Sequence, residues 1–241
     1  MTYQCFRYGE PRPCLVVNPQ PPSTIMTIPI VGVPRGGTTM VAAVVHALGV
    51  DLGPAKDLAD HTFEDPMMSQ SEFGLQLSHI AKRNHECKVW GWKNPNAVVS
   101  IRSMFFCLRN PRMIVVFRDI MATIESEMRF DVANNIAPLR TFHDLAKATM
   151  NWWNDNMEFV TQTAFPVLLV SYERALQMPE LFVHDVATFL GITPDQDMVL
   201  EAMARINPHG GYLKIDEQAH PIPIVESLPE TVPEETPEPP V

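Results

Sequence analysis

The sequence predicts an α/β domain with a central parallel sheet and helices on both faces. Three observations predict it. Short, continuously apolar segments alternate with amphipathic ones along most of the chain, and strands buried on both faces read this way. A glycine-rich turn, Gly32-Val33-Pro34-Arg35-Gly36-Gly37-Thr38-Thr39, joins the first strong strand to the first helix. The cationic residues of interest follow strands, and ligands of open parallel sheets bind at the carboxyl ends of strands.

Taken in order, residues 1–24 hold five prolines and little periodicity, which marks a lead-in with at most a short strand at Cys14–Val17. Residues 27–31 read as a buried strand. Residues 38–48 read as a helix, because Met40, Val41, Val44, Val45 and Leu48 keep one face apolar. Turn signals fill 49–66, and 67–83 has helical character. Residues 88–92 form a second strand, followed by Lys93-Asn94-Pro95-Asn96. A helix over 97–108 stops at Asn110-Pro111. Met113–Phe117 is the cleanest strand and leads through Arg118-Asp119 into a helix ending near residue 128. A long amphipathic helix spans 139–163, anchored by Trp152 and Trp153. Residues 167–170 give another apolar strand, and helices at 181–190 and 195–206 are divided by Gly191 and Pro194.

At 241 residues the chain suits one such domain, set at 25–215, with an acidic tail at 216–241. Residues 221–241 carry five glutamates, seven prolines and no basic residue, too little apolar surface to offset chain entropy, so the tail is expected to be disordered. The net charge of −10 argues against nucleic-acid binding. No apolar run approaches the ~20 residues of a membrane span, and no secretory signal opens the chain. The four cysteines are scattered, the pattern of free thiols in a reducing cytosol, so a cytoplasmic protein is expected.

The glycine turn overlays a Walker A loop, G-x-x-x-x-G-K-[ST], which makes the domain P-loop-like. Thr38 occupies the lysine position, however, and the cation sits at Arg35. Free amides and the helix dipole still favour an anion there. Without the lysine, ATP or GTP hydrolysis is poorly supported. Arg118, at a strand end, and Ser126, eight residues on, make a second phosphate site. A cap on the sheet, or a pair with Asp119 or Glu125, is the alternative for Arg118.

Together these segments resemble the PAPS-dependent sulfotransferases, bacterial and phage-type members in particular. Residues 29–39 resemble the family's 5′-phosphosulfate loop, and Val115-Val116-Phe117-Arg118-Asp119 with Ser126 resembles its 3′-phosphate motif. Trp92-Lys93-Asn94-Pro95-Asn96 is similar to a lysine–proline segment of bacterial members. Val170-Ser171-Tyr172-Glu173 and Phe189-Leu190-Gly191-Ile192 are similar to segments near the end of the domain. The loop serine of the family is Gly36 here, and only residues 207–214 stand where a basic C-terminal loop would close over the nucleotide.

The resemblance implies a transferase that moves the sulfuryl group of PAPS to a hydroxyl or amine of a small-molecule or carbohydrate acceptor, with no metal expected. It assigns Arg35, the amides of Gly36, Gly37, Thr38 and Thr39, and both threonine hydroxyls to the phosphosulfate. It assigns Arg118 and Ser126 to the 3′-phosphate, and Lys93 to the bridging oxygen of the leaving group. Tyr172 lies against the nucleotide or is simply packed. A general base is required; Phe63-Glu64-Asp65 resembles an aromatic–glutamate element of some members, so Glu64 is preferred and His61 is second. The alternatives are a P-loop kinase or NTPase with a displaced cation, and a non-catalytic nucleotide-binding protein.

Overall fold

The computed structural model describes residues 11–53, 63–69 and 72–206. His61, the 207–214 segment and the acidic tail lie outside them. Five strands form one sheet: β1 (Cys14–Val17), β2 (Met26–Gly32), β3 (Val89–Lys93), β4 (Met113–Phe117) and β5 (Val167–Ser171), in the order β1-β5-β4-β2-β3. β2 through β5 are mutually parallel. The edge strand β1 is antiparallel to β5, with Cys14 opposite Val170 and Val17 opposite Val167, so the sheet is mixed rather than wholly parallel. β1 and β5 are not consecutive in the chain, so no direct crossover between them obliges the two to run parallel.

The helices are α1 (Thr38–Ala47), α2 (Phe73–Glu86), α3 (Val98–Met104), α4 (Ile120–Ala133), α5 (Phe142–Gln162), α6 (Tyr172–Gln177), α7 (Pro179–Leu190) and α8 (Gln196–Ala204). Strand residues alternate between two cores. Ile28, Ile30, Ile114, Val116, Leu168 and Val170 pack with α1, α7 and α8. Val31, Met113, Val115 and Val167 pack with α2, α3 and α5 on the opposite face. Each face thus buries an apolar layer, which gives the three-layer α/β architecture.

Two local expectations change. Helix α2 begins at Phe73, not at 67, because Asp65 organises the preceding segment as a turn. Its Oδ1 accepts from Met67 N at 2.9 Å and its carbonyl from Met68 N at 3.0 Å. The helix expected over 97–108 ends at Met104 and tightens into a 3-10 turn over Phe105–Cys107. Helix α6 was not anticipated; the Ser171 hydroxyl caps it by accepting from Arg174 N.

The connection from β2 to β3 runs to one side, whereas β4 and β5 lie on the other, so the chain reverses direction in the sheet between β2 and β4. The crevice outside their carboxyl ends is where a ligand fits. The glycine turn stands there.

Candidate functional site

The turn is built by close approaches that exclude side chains. A Cβ on Gly32 would lie 2.7 Å from Val116 O and 2.9 Å from the Thr38 methyl. Gly36 N donates to Val33 O at 2.8 Å, closing the turn, and Arg35 and Gly37 take left-handed φ values of 59° and 89°. Gly37 is the N-cap of α1 and offers no side chain, so the first-turn amides of α1 have no side-chain cap. Such an uncapped N-terminus attracts an anion through its amides and dipole. Thr39 is half-buried beside it, whereas Thr38 is only 3 % exposed, with its methyl against Gly32.

Arg118 leaves the end of β4 and turns back onto this loop. Its Nη1 donates to Arg35 O at 2.9 Å, and its guanidinium lies 4.9 Å from the Tyr172 ring centroid. The same ring covers Gly37: a Cβ there would meet it at 2.1 Å. Arg118 Nε is buried without a partner among the described residues. The Arg35 side chain reaches α4, where its Nε donates to Ser126 Oγ at 3.4 Å and its head lies 5.0 Å from the Phe130 ring. Arg118 and Ser126 therefore meet through Arg35, so the residues expected to form two anion sites lie side by side. Asp119 does not pair with Arg118; its carboxylate caps α4 through Ala122 N at 2.9 Å, and its own amide donates to Glu173 Oε1.

Lys93, the last residue of β3, has a side chain 4 % exposed, and its Nζ lies 2.6 Å from Glu64 Oε1. Glu64 also forms a β-bridge with Lys93, so backbone and side chain agree on the register. Burial holds the Lys93 ammonium below its usual pKa; Glu64 pulls the other way, and Arg35 reinforces burial. Pro95 O accepts from Gly32 N at 3.3 Å, which stitches the segment after Lys93 to the glycine turn.

Sequence reasoning missed three supports. Asn156, fully buried on α5, donates through Nδ2 to Gly32 O at 3.0 Å. Its signal is present: a polar residue seven positions after Thr149, on the face that also carries Leu145, Phe159 and Val160. Phe130 supplies a ring to Arg35. His79 Nε2 lies 2.7 Å from Asp65 Oδ2 and fixes the residue next to Glu64.

A glycine-turn, doubly covered α/β domain with cations converging on an uncapped helix N-terminus belongs to the P-loop-like class. The chain is a member of the sulfotransferase family: the family model described as Sulfotransferase domain matches residues 27–207. Solved structures agree on the fold. The sulfotransferase domain from the curacin biosynthetic pathway superposes with a TM-score of 0.51 at 12 % identity, covering 83 % of each chain. Sulfotransferase STF1 from Mycobacterium tuberculosis H37Rv gives 0.52 at 14 % identity, over 75 % of this chain and 71 % of that one. Mouse sulfotransferase SULT7A1, complexed with PAP, gives 0.52 at 12 % identity, over 77 % of this chain and 64 % of that one. No curated protein matches the chain by sequence.

Proposed function

We propose that the protein transfers the sulfuryl group of PAPS to a hydroxyl or amine of a small-molecule or carbohydrate acceptor. The observation that carries this reading is the seating of the Arg118 guanidinium against the Arg35 carbonyl of an uncapped glycine turn, at 2.9 Å. One crevice then holds two attractors for anions, as a nucleotide bearing phosphates at its 3′ and 5′ positions requires. The residues fit such a ligand on physical grounds: Arg118 Nε is a buried donor without a partner among the described residues, and the first-turn amides of α1 carry no side-chain cap. PAP is the nucleotide found with the mouse relative.

In this reading the amides of Gly36, Gly37, Thr38 and Thr39 hold the 5′ end, with the Thr39 hydroxyl. Arg118 and Ser126 hold the 3′-phosphate, with Arg35 between the two ends. Tyr172 stacks against the Arg118 face and shapes the crevice. PAPS, when bound, supplies an activated sulfuryl group. Glu64 takes the proton that the acceptor hydroxyl loses as its oxygen attacks. Lys93 orients Glu64 and holds positive charge where negative charge develops on the departing oxygen. His61 is the second candidate for the base. The reading sets the reaction in the cytoplasm, where free thiols such as Cys14, Cys87 and Cys107 stay reduced. No helix among the described residues is long and apolar enough to cross a membrane.

The test is calorimetric titration with adenosine 3′,5′-bisphosphate and with 5′-AMP. The wild type binds the bisphosphate at least about tenfold more tightly, and Arg118→Ala erases that preference, since a charge-assisted contact is worth about 1.5–3 kcal/mol. Equal affinity for the two nucleotides in the wild type overturns the reading.

A further inference from the structure

Arg112 and Arg118 flank the five residues of β4, so their guanidiniums leave opposite ends of a strand, with Cα atoms roughly 20 Å apart. Arg118 serves the crevice described above. Arg112 does not, and it lies in surroundings that ordinarily exclude a cation.

Arg112 is 5 % exposed. Its Nη1 donates to the carbonyls of Gln20 at 3.0 Å and Pro21 at 3.4 Å, and the Phe189 ring covers it at 4.4 Å. Nε is buried with no partner among the described residues, and the hydrogen bonds that this guanidinium makes to them all come from Nη1. No carboxylate among the described residues pairs with this guanidinium, and burial pulls its pKa down. The unused edge, Nε–H beside Nη2–H, is the pair of parallel donors that grips a carboxylate side-on. Burying a charge without a counterion is strongly unfavourable.

This residue lines a cavity of about 390 Å³ between the lead-in, the β1–β5 edge and α7. Cys14, Val16, Leu168 and Phe189 make its walls largely apolar. Its other charges cancel: Arg12 Nη2 sits 2.6 Å from Asp185 Oδ1. The cavity therefore carries one net positive charge, at Arg112, inside a chain whose overall charge is −10. A volume of a few hundred Å³ suits a small organic molecule.

We propose that this cavity is a second ligand site, separate from the sulfuryl-transfer crevice, for a small monocarboxylate with an apolar body. The carboxylate takes the Nε/Nη2 edge of Arg112, and the body lies against Leu168, Val16 and Phe189.

The test uses the full chain and hexanoate, with hexanol as the uncharged control, by calorimetry and saturation-transfer NMR. Hexanoate binds saturably and hexanol binds about tenfold more weakly or not at all, the difference expected for a charge-assisted fork. Adenosine 3′,5′-bisphosphate at saturation leaves hexanoate binding unchanged. Arg112→Lys keeps a cation but loses the fork, and weakens hexanoate about tenfold. Thr188→Trp, at an exposed position on the cavity rim, blocks entry and serves as the deciding variant if Arg112→Lys does not fold. Absence of saturable hexanoate binding, equal binding of hexanol, displacement by the bisphosphate, or unchanged binding in folded Thr188→Trp each overturns the proposal. None of these outcomes bears on bisphosphate affinity, which tests the sulfuryl-transfer reading separately.

Discussion

Lys93 keeps its ammonium in a place almost closed to water, and Glu64, 2.6 Å away, is the group that partly offsets that burial. Removing the carboxylate should therefore drive the Lys93 pKa further down from its already lowered value. Glu64→Gln tests this: NMR titration of the Lys93 ε-ammonium is expected to show a lower pKa than in the wild type. The same variant should lose about 10²–10⁴-fold in kcat while binding adenosine 3′,5′-bisphosphate normally, the pattern of a lost general base. Steady-state kinetics with calorimetry separates the two effects. A drop in nucleotide affinity with kcat preserved would move Glu64 out of the base role.

At the scale of elements, the glycine turn depends on a helix distant from it in sequence. Asn156 on α5 donates to Gly32 O at 3.0 Å, and both groups are buried. Asn156→Leu leaves that carbonyl without its donor and should cost about 1–3 kcal/mol in urea unfolding. It should also weaken bisphosphate binding, because the turn loses its brace. Helix α2 is tied to the segment before it by Arg83 Nη2, 2.8 Å from Asp51 Oδ1. Burial alone would raise the Asp51 pKa, but the bonds from Arg83 and Gly53 N outweigh it and leave the pKa below 3.8. A depressed folded-state pKa adds stability that is complete above 3.8 and disappears as pH falls through the folded value. Asp51→Asn should thus be less stable than the wild type near neutrality, and the two should converge below about pH 3.8 in acid-unfolding curves.

Across the whole molecule, the lead-in is a structural part of the sheet. β1 pairs with β5 along its full length, Pro13 O accepts from Ser171 N at 2.9 Å, and Arg112 grips the carbonyls of Gln20 and Pro21. A chain starting at residue 25 exposes the β5 edge and unroofs the cavity beside it. It should melt at least about 5 °C lower by differential scanning calorimetry and be prone to self-association, since a bare apolar edge invites pairing. An unchanged melting temperature would reduce β1 to decoration.

The alternation of apolar strands with amphipathic helices, the strand at Met113–Phe117 and the glycine turn were legible because each is encoded within a few neighbouring residues. So was the position of Arg118 beside the glycine turn, since the carboxyl ends of parallel strands share one edge. The start of α2 misled because the local chemistry of Asp65, an Asx turn, overrides helical periodicity. What sequence order leaves open is which distant groups meet. The Asn156 brace, the Arg35 reach to Ser126 and Phe130, the Glu64–Lys93 contact and the antiparallel β1 all depend on segments far apart in the chain. Local residues determined the elements and the glycine turn. Only the packing of two helical layers on one sheet decided how the cations, the carboxylate and the edge strand come together, because burial is a property of the assembled molecule.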